Sequence, residues 1–231
     1  MAVDYLHRLI ITGPHDDVRA CSRQLHREYQ RTVGGQTWTE IVPFSFAALY
    51  EMAPAARQVE PETPWDPYEL SAWPVRRIPQ GQAEVRYQFQ TRNLEMTGLF
   101  RVLSRARPSL TFTLVTMCLD DSSITAYRIT RGRTRRWLVP QRRRDFHWER
   151  ARAKFGLLGN EVYDDDIAEQ WAEEEMLAEA LTHWDAPTGA GPTRRRRYHW
   201  WNQPPLRDLT TERQLAAYEI SNALNSKAPR P

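Results

Sequence analysis

Two neighbouring segments of this chain have the residue content of β-strands throughout. Leu110 to Leu119 is rich in β-branched and aromatic residues, and Ile124 to Thr130 has the same character before it ends at Gly132. Only the polar residues Asp120 to Ser123 separate the two segments, and they are typical of a turn. The two strands are therefore predicted to form an antiparallel hairpin.

The N-terminal residues predict a strand followed by a helix. Residues 5 to 12 have strand character and stop at Gly13-Pro14, after which Asp16 and Asp17 complement the positive end of a helix dipole. Apolar residues then recur at helical spacing until Gly34-Gly35, which is predicted to end the helix. The stripe consists of Val18, Cys21, Leu25 and Tyr29.

A second strand and helix precede the hairpin. Val85, Tyr87 and Phe89 alternate with polar residues, as in a half-buried strand. A helix that ends before Pro108 is predicted by the apolar residues Met96, Leu99, Phe100 and Leu103. The resulting order, β–α–β–α–β–β, predicts an α+β fold of the ferredoxin-like type, in which two helices cover one face of a four-stranded sheet. The opposite face is then open to a partner unless the C-terminal third covers it.

Residues 34 to 83 are predicted to be a long, mostly irregular insertion within a core that spans residues 1 to 132. In this insertion, Ile41 to Phe44 predicts a short extended piece and Ser45 to Met52 a short helix. The prolines and tryptophans that follow indicate a loop packed by its own aromatic residues, and loops of this length are usually functional or disordered.

Beyond residue 132 the charges are sorted into blocks of opposite sign. Thirty of the thirty-two cationic side chains of the chain are arginine. Between Tyr127 and Lys154 eleven cations stand against two carboxylates, whereas Glu161 to Asp185 holds ten carboxylates and no Lys or Arg. Residues 133 to 231 are therefore predicted to be a charged helical extension of the core.

The extension is predicted to contain a basic helix, an acidic helix and a linker. Arg142 to Lys154 gives the basic helix, Asp164 to Trp184 the acidic helix, and residues 186 to 192 a linker rich in Pro and Gly. A last helix is predicted to begin near Thr211, where the spacing of a capping box occurs. The apolar stripe predicted for the acidic helix is Ile167, Trp171, Ala178, Leu181 and Trp184.

Two clusters of arginine and aromatic residues favour nucleic acid as the partner, either RNA or single-stranded DNA. Guanidinium groups bind phosphates bidentately, and aromatic rings stack on unpaired bases. The expected function is thus that of a nucleic-acid-binding accessory protein and not of an enzyme. The first cluster is Arg133, Arg135, Arg136, Trp137, Arg142, Arg143, Arg144, Phe146, Trp148 and Arg150. The second is Arg194, Arg195, Arg196, Arg197, Tyr198, Trp200 and Trp201.

The acidic helix allows a second interpretation, that of a protein-interaction or assembly subunit. Trp171 and Trp184 could insert into the groove of a protein partner. The two charge blocks could also neutralise each other, either inside one molecule or between the copies of a homo-oligomer. In either case the arginines are less available to nucleic acid. Packing of the acidic helix against the chain's own sheet is the simplest alternative.

The sequence offers little for catalysis or metal binding. It has no His-x-x-x-His pair, no Cys-x-x-Cys, no Gly-x-Gly-x-x-Gly and no Walker loop, so no metal or cofactor is predicted. Asp164, Asp165 and Asp166 are more typical of a helix N-terminus than of a Mg²⁺ site. His147 is the one histidine placed as a general base for RNA cleavage would be. The enzymatic alternative is a metal-independent ferredoxin-like ribonuclease that processes CRISPR repeat RNA, although the sequence lacks the glycine-rich loop of such proteins.

The order of several short motifs resembles a known family. The opening strand with Gly13-Pro14, then Ile41-Val42-Pro43, then residues 87 to 91 and the helix before Pro108 occur in the sequence expected for the YubB-type ferredoxin-like proteins of plasmids, phages and symbiosis islands. The resemblance covers roughly residues 5 to 132. It implies a ferredoxin-like fold and a mobile-element setting, but no reaction, because that family has no settled activity.

The remaining composition predicts a cytoplasmic protein. Residues 1 to 8 do not have the pattern of a secretion signal, and no apolar stretch approaches the length of about 20 residues that a membrane-spanning helix needs. Cys21 and Cys118 each lie in an apolar segment and are expected to be buried free thiols in a reducing compartment.

Overall fold

The computed structural model describes residues 3–33, 35–56, 68–93, 96–155 and 163–184, and these form nine strands and five helices. The strands are β1 (Asp4–Pro14), β2 (Arg27–Val33), β3 (Gln36–Val42), β4 (Tyr68–Ala72), β5 (Arg76–Ile78), β6 (Gln82–Arg92), β7 (Thr111–Cys118), β8 (Ile124–Thr130) and β9 (Arg133–Leu138). The helices are α1 (His15–Leu25), α2 (Phe46–Met52), α3 (Thr97–Ala106), α4 (Gln141–Phe155) and α5 (Tyr163–Thr182).

Seven of the strands form one sheet around β1. Strand β1 pairs antiparallel with β6 on one side and with β7 on the other. The sheet continues through β8 to β9 at one edge, while β4 and β5 both pair with the outer side of β6. Strands β2 and β3 form a separate two-stranded sheet. Because β6 and β7 both run antiparallel to β1, the connection through α3 crosses over β1.

Helices α1, α2 and α3 cover the first face of the large sheet. The alternation of β6 brings Val85, Tyr87 and Phe89 to this face, as the sequence predicts. Phe44, just before α2, is fully buried and stacks on Phe89 with ring centroids 4.8 Å apart. Phe100 of α3 packs in the same core, 5.7 Å from Phe112. Aromatic contacts from four separate segments therefore join the helices to the sheet.

Helix α5 covers the second face, and α4 packs against α5. Val115, Met117, Ile124 and Ala126 of β7 and β8 supply the apolar surface of the sheet. Half of the side chains that the described part of the helix buries are alanines, which let its backbone come close to the strands. The buried residues in that part of α5 are Ala168, Ala172, Met176, Leu177, Ala180 and Leu181.

Several predicted elements are confirmed. Residues 111 to 130 form the antiparallel hairpin of β7 and β8, and α3, α4 and α5 lie within a few residues of their predicted bounds. Cys21 and Cys118 are free thiols, although only Cys21 is buried as predicted and Cys118 is half-buried. Burial raises the pKa of Cys21 to about 12. The acidic helix packs on the chain's own sheet, which is the simplest of the alternatives that the sequence left open.

Other boundaries differ from the predictions. Helix α1 ends at Leu25, and Tyr29 lies on β2, because the chain turns into a hairpin before Gly35. Residues 34 to 83, expected to be mostly irregular, contain β3, α2, β4 and β5 in their described parts. The expected core boundary at residue 132 also falls inside the sheet, because β9 pairs with β8 beyond it.

The apolar stripe of α5 is rotated relative to the prediction. Leu181 is buried as expected, but Trp171, Ala178 and Trp184 are only half-buried, and alanines at positions 168, 172 and 180 face the sheet instead. The side chain of Ile167 lies outside the described residues. The linker at 186 to 192 and the helix predicted near Thr211 also lie outside them.

The fold is α+β with a mostly antiparallel sheet, as predicted, but the sheet is larger than a four-stranded ferredoxin-like sandwich. The strands expected to form that sandwich run in the order β6-β1-β7-β8, and β4, β5 and β9 extend it at both edges. A ferredoxin-like strand order is therefore not confirmed.

Two phenylalanines allow a test of which surfaces are core. Phe100→Ala is expected to lower the free energy of unfolding by about 3–5 kcal/mol, because it leaves a cavity in the aromatic core. Phe146→Ala, at a position that is 48% exposed, is expected to change it by less than about 0.5 kcal/mol. Urea unfolding followed by circular dichroism measures both. Equal losses would contradict the assignment of the core.

Candidate nucleic-acid interface

Strand β9 is an edge strand that carries three exposed arginines. Arg133, Arg135 and Arg136 are all exposed, whereas Trp137 is half-buried. An edge strand has one side without a strand partner, and charged residues there discourage pairing with other chains. Within the described residues these three guanidinium groups have no carboxylate partner.

Alternation along β9 divides its side chains between the two faces of the sheet. Trp137 lies on the α5 side, where its ring stacks on His183 with centroids 3.8 Å apart and planes 2° from parallel. Arg135 lies on the same side, opposite Arg128 of β8. Arg136 and Leu138 point to the other side, and Leu138 is 51% exposed. Trp137, which was predicted to stack on a base, thus already stacks on His183.

Helix α4 follows β9 after Val139 and Pro140, and its two faces have different roles. Arg142 and Phe146 are exposed. Arg143, His147 and Arg150 recur at the spacing that faces α5, and each contacts a glutamate of that helix. Four arginines of the first cluster lie on α4. Within the described residues, Arg142 is the one of these four that has neither an acidic partner nor a hydrogen bond.

Glu179 of α5 joins the two helices. Its carboxylate accepts hydrogen bonds from Arg143 Nη2 and His147 Nε2, both at 2.7 Å. The side chains of His147 and Glu179 are 6% and 10% exposed. Charge-assisted hydrogen bonds in such a buried setting are strong, and leaving one partner unpaired there is costly.

The two predicted tryptophans of this region are covered by cations. Arg152 lies 5.8 Å from the ring centroid of Trp148, and Arg150 and Lys154 lie 5.3 and 4.5 Å from that of Trp171. Both rings are half-buried. Trp171 therefore makes cation–π contacts between α4 and α5 and is not an open anchor for a protein partner.

Arg144 contacts the turn between β7 and β8. It bonds to Gln141 of its own helix, and its Nη1 donates to the Asp121 carbonyl at 3.5 Å. Arg128 of β8 donates from Nη1 to the Trp184 carbonyl at 3.1 Å, just beyond the C-terminal end of α5. These arginines are half-buried and hold elements of the fold together.

The structure therefore splits the first predicted cluster. Arg143, Arg144, Arg150, Trp137 and Trp148 make contacts inside the molecule, as described above. The residues left at the surface without an acidic partner within the described ranges are Arg133, Arg135, Arg136, Arg142 and Phe146. The second predicted cluster, residues 194 to 201, lies outside the described residues.

His147 does not occupy the position of a general base. It is 4% exposed and bound to Glu179, so an external substrate has no access to it. Its Nδ1 atom is buried and has no hydrogen-bond partner in the described part of the chain. Among the described residues no group of three His, Cys, Asp or Glu side chains could hold a metal ion. The side chains of Asp164 to Asp166 are outside that set.

Sequence reasoning missed the ion pair that connects α5 to the centre of the sheet. Arg8 of β1 is 2% exposed; its Nη2 binds Glu174 Oε1, and its Nε donates to Gln88 Oε1 at 2.9 Å. The signal was an arginine that shares one face of its strand with the apolar residues Leu6 and Ile10. A buried cation of this kind needs a partner from another element.

Glu179→Ala is expected to destabilise the protein by roughly 1–3 kcal/mol, because Arg143 and His147 lose their shared acceptor. Glu169→Ala, at an exposed position of the same helix, serves as the control and is expected to cost less than about 0.5 kcal/mol. Chemical unfolding at pH 7 measures both. A cost for Glu179→Ala as small as that of the control would show that the contact has no structural role.

The raised pKa of Glu173 leads us to expect that the stability of the protein depends on pH. Burial raises the pKa of Glu173, and the nearby Glu169 and Glu174 raise it further. A raised carboxyl pKa destabilises the fold when the group is ionised, so the penalty exists at neutral pH and disappears as pH falls below the ordinary carboxyl pKa. Glu173→Gln is expected to raise the melting temperature at pH 7 and to have little effect at low pH. A loss of stability at pH 7 would contradict this.

Comparison of the chain with models of protein families, with curated proteins and with solved structures found no match. The resemblance to the YubB-type proteins therefore stays a prediction. None of the described helices is long and apolar enough to cross a membrane.

Proposed function

We propose that this protein binds single-stranded nucleic acid, RNA or DNA, without cleaving it. The contact surface runs along the edge strand β9, with Arg133 and Arg135 on the α5 side of the sheet and Arg136 on the other side, and continues on the outward face of α4. Arg133, Arg135, Arg136 and Arg142 contact phosphates there, and Phe146 stacks on a base. The observation that carries the proposal is the exposure of these four arginines, for which the described residues supply no carboxylate.

The distribution of ion pairs supports this choice of residues. The carboxylates of α5 that lie near the basic block are already engaged, since Glu179 binds Arg143 and His147 while Glu175 lies 3.6 Å from Arg150. The acidic block therefore neutralises the inner face of α4. The outer face carries Arg142 and Arg152 beside the exposed Asp145 and Glu149, so the excess of positive charge lies on β9. An anionic polymer that reaches this surface meets arginines that are not committed elsewhere in the described chain.

Protection of an exposed strand edge is the competing explanation for the arginines of β9. Edge protection requires only a charge, and the three arginines of β9 supply it. It does not account for Arg142 or for the exposed ring of Phe146, which are on α4. Arginine with a neighbouring aromatic ring is the combination that binds phosphate and base together.

We also propose that the core of this protein is related to the ferredoxin-like folds. The crossover from β6 through α3 to β7, with β1 between the two strands, is the split β–α–β arrangement found in ferredoxin-like folds. In this protein α5 covers the sheet face opposite α1 to α3. The proposed contact therefore lies at the β9 edge and not on that face.

Replacing the four arginines by alanine is expected to weaken binding to a single-stranded oligonucleotide by about tenfold or more at low salt. Each lost phosphate contact is also expected to reduce the slope of log affinity against log salt by about 0.7, so four lost contacts reduce it by about 3. Fluorescence anisotropy with labelled RNA and DNA at several salt concentrations measures both quantities. The variant carries Arg133→Ala, Arg135→Ala, Arg136→Ala and Arg142→Ala.

A charge-matched control removes four exposed arginines from other surfaces. It carries Arg19→Ala, Arg23→Ala, Arg76→Ala and Arg101→Ala. A loss of affinity equal to that of the β9–α4 variant would indicate a general charge effect and overturn the assigned surface. No binding of the native protein to any strand at low salt would overturn the function itself. Phe146→Ala is expected to weaken binding while leaving the salt slope unchanged, because stacking releases no counterions.

A further inference from the structure

The hairpin of β2 and β3 stands apart from the large sheet. Its strands pair in continuous register from Val33 opposite Gln36 to Arg27 opposite Val42. At its base Arg27 pairs with Glu51 and the Tyr29 hydroxyl lies 3.2 Å from Ser45 Oγ, and nearer the loop the Nε1 atom of Trp38 is buried. Neither strand makes more than sparse contact with another described helix or strand.

A two-stranded hairpin of this kind is only marginally stable in water unless a further surface supports it. The exposed face of this hairpin is polar and carries cross-strand hydrogen bonds from Gln30 to Thr39 and between Thr32 and Thr37, each 2.9 Å long. Such bonds hold the two strands in register but bury little apolar surface. A further strand paired with the hairpin would therefore add to its stability.

The outer edge of β2 is open for strand pairing. In an antiparallel ladder, residues alternate between pairs that exchange backbone hydrogen bonds and pairs that do not. With Val33 and Gln36 closing a two-residue loop, the bonded positions of β2 are 27, 29, 31 and 33. The backbone groups of Glu28, Gln30 and Thr32 consequently point outward, and within the described ranges β2 pairs with β3 alone.

We propose that β2 pairs with β2 of a second copy of this chain, antiparallel, about a twofold axis at Gln30. The two hairpins then form one four-stranded sheet, which is the self-complementary contact that a twofold dimer requires. This proposal concerns a different surface from the β9–α4 contact and does not depend on nucleic-acid binding.

The residues of β2 are compatible with such pairing. A twofold axis at Gln30 places Glu28 opposite Thr32 and Tyr29 opposite Arg31 of the second copy, so no two like charges stand directly opposite each other. Gln30 stands opposite itself. Its amide donates one hydrogen bond to Thr39 and keeps an oxygen and a second N–H, which match the amide of the second copy.

The contrast with β9 explains why the second copy is assigned to β2. Two β9 strands paired antiparallel would bring six arginines together, and like charges across strands are destabilising. Strand β2 carries charges of both signs, Arg27 and Arg31 with Glu28, and no proline or register shift interrupts it. Of these two edges, only that of β2 lacks a strong barrier to self-pairing.

Cysteine cross-linking tests the register directly. A bonded pair across the twofold axis has Cα atoms about 5.5 Å apart, within the range of a disulfide. In a Cys118→Ser background, Gln30→Cys is expected to convert to a disulfide-linked dimer of twice the mass under mild oxidation. Thr39→Cys is the matched control, because Thr39 faces Gln30 within the hairpin but lies on the other strand. It is expected to stay monomeric on a non-reducing gel.

Sedimentation of the unmodified protein at high salt, without nucleic acid, supplies the second measurement, and a dimer is expected. A monomer at every concentration would overturn the proposal, as would cross-linking of Thr39→Cys that equals or exceeds that of Gln30→Cys. If cysteine at position 30 weakens the dimer, the double variant Glu28→Cys with Thr32→Cys reports the same register through two opposed pairs. Failure of that variant to cross-link would also overturn the assignment. The variant lacking the four β9–α4 arginines is expected to remain dimeric, which separates the two proposals.

Discussion

The contact of α5 with the second face of the sheet determines what this protein can present to a partner. The helix is acidic, yet its described part buries six apolar side chains in the core that it forms with β7, β8 and α4, and Glu174 binds the buried Arg8. Two further carboxylates, Glu175 and Glu179, lie against the inner face of α4. Burial of apolar area holds the helix in place, and the ion pairs fix its orientation. The arginines left at the surface are those that this helix does not reach.

Much of the fold follows from local patterns in the sequence. The alternation of residues 85 to 89, the helical spacing of Leu99 to Leu103 and the turn at Asp120 to Ser123 each give the correct element and the correct buried face. Tyr29 shows the limit of this reasoning, because its spacing continues the helical stripe of α1 although it lies on β2. A single apolar residue fits both periodicities, and only the pairing of β2 with β3 decides between them.

The prediction was least accurate for the part between residues 34 and 83 and for the stripe of α5. Strands β4 and β5 are three to five residues long and are stabilised by β6, so their own sequences carry little signal. On α5, large tryptophans suggested one face, but alanines occupy the buried one. The close approach of the helix to the sheet excludes bulky rings from the contact.

The candidate site was predictable as a region and not as a set of residues. The charge pattern locates the basic block, but it cannot distinguish Arg142 from Arg143, which are adjacent and have opposite roles. That distinction depends on which side of α4 meets α5. The same holds for Trp137, whose ring stacks on His183, a residue that directly follows α5 and is distant from β9 in the sequence.

Two opposed arginines on β8 and β9 lie close to the C-terminal end of α5. Arg128 and Arg135 stand directly across from each other, an arrangement that by itself pushes β9 away from the sheet. Arg128 is held by the Trp184 carbonyl at the negative end of the α5 dipole, and Trp137 of β9 stacks on His183 beside it. Opening of β9 therefore removes a ring contact from the C-terminal end of α5. Release of that end in turn takes away the carbonyl that holds Arg128 and leaves its guanidinium facing Arg135.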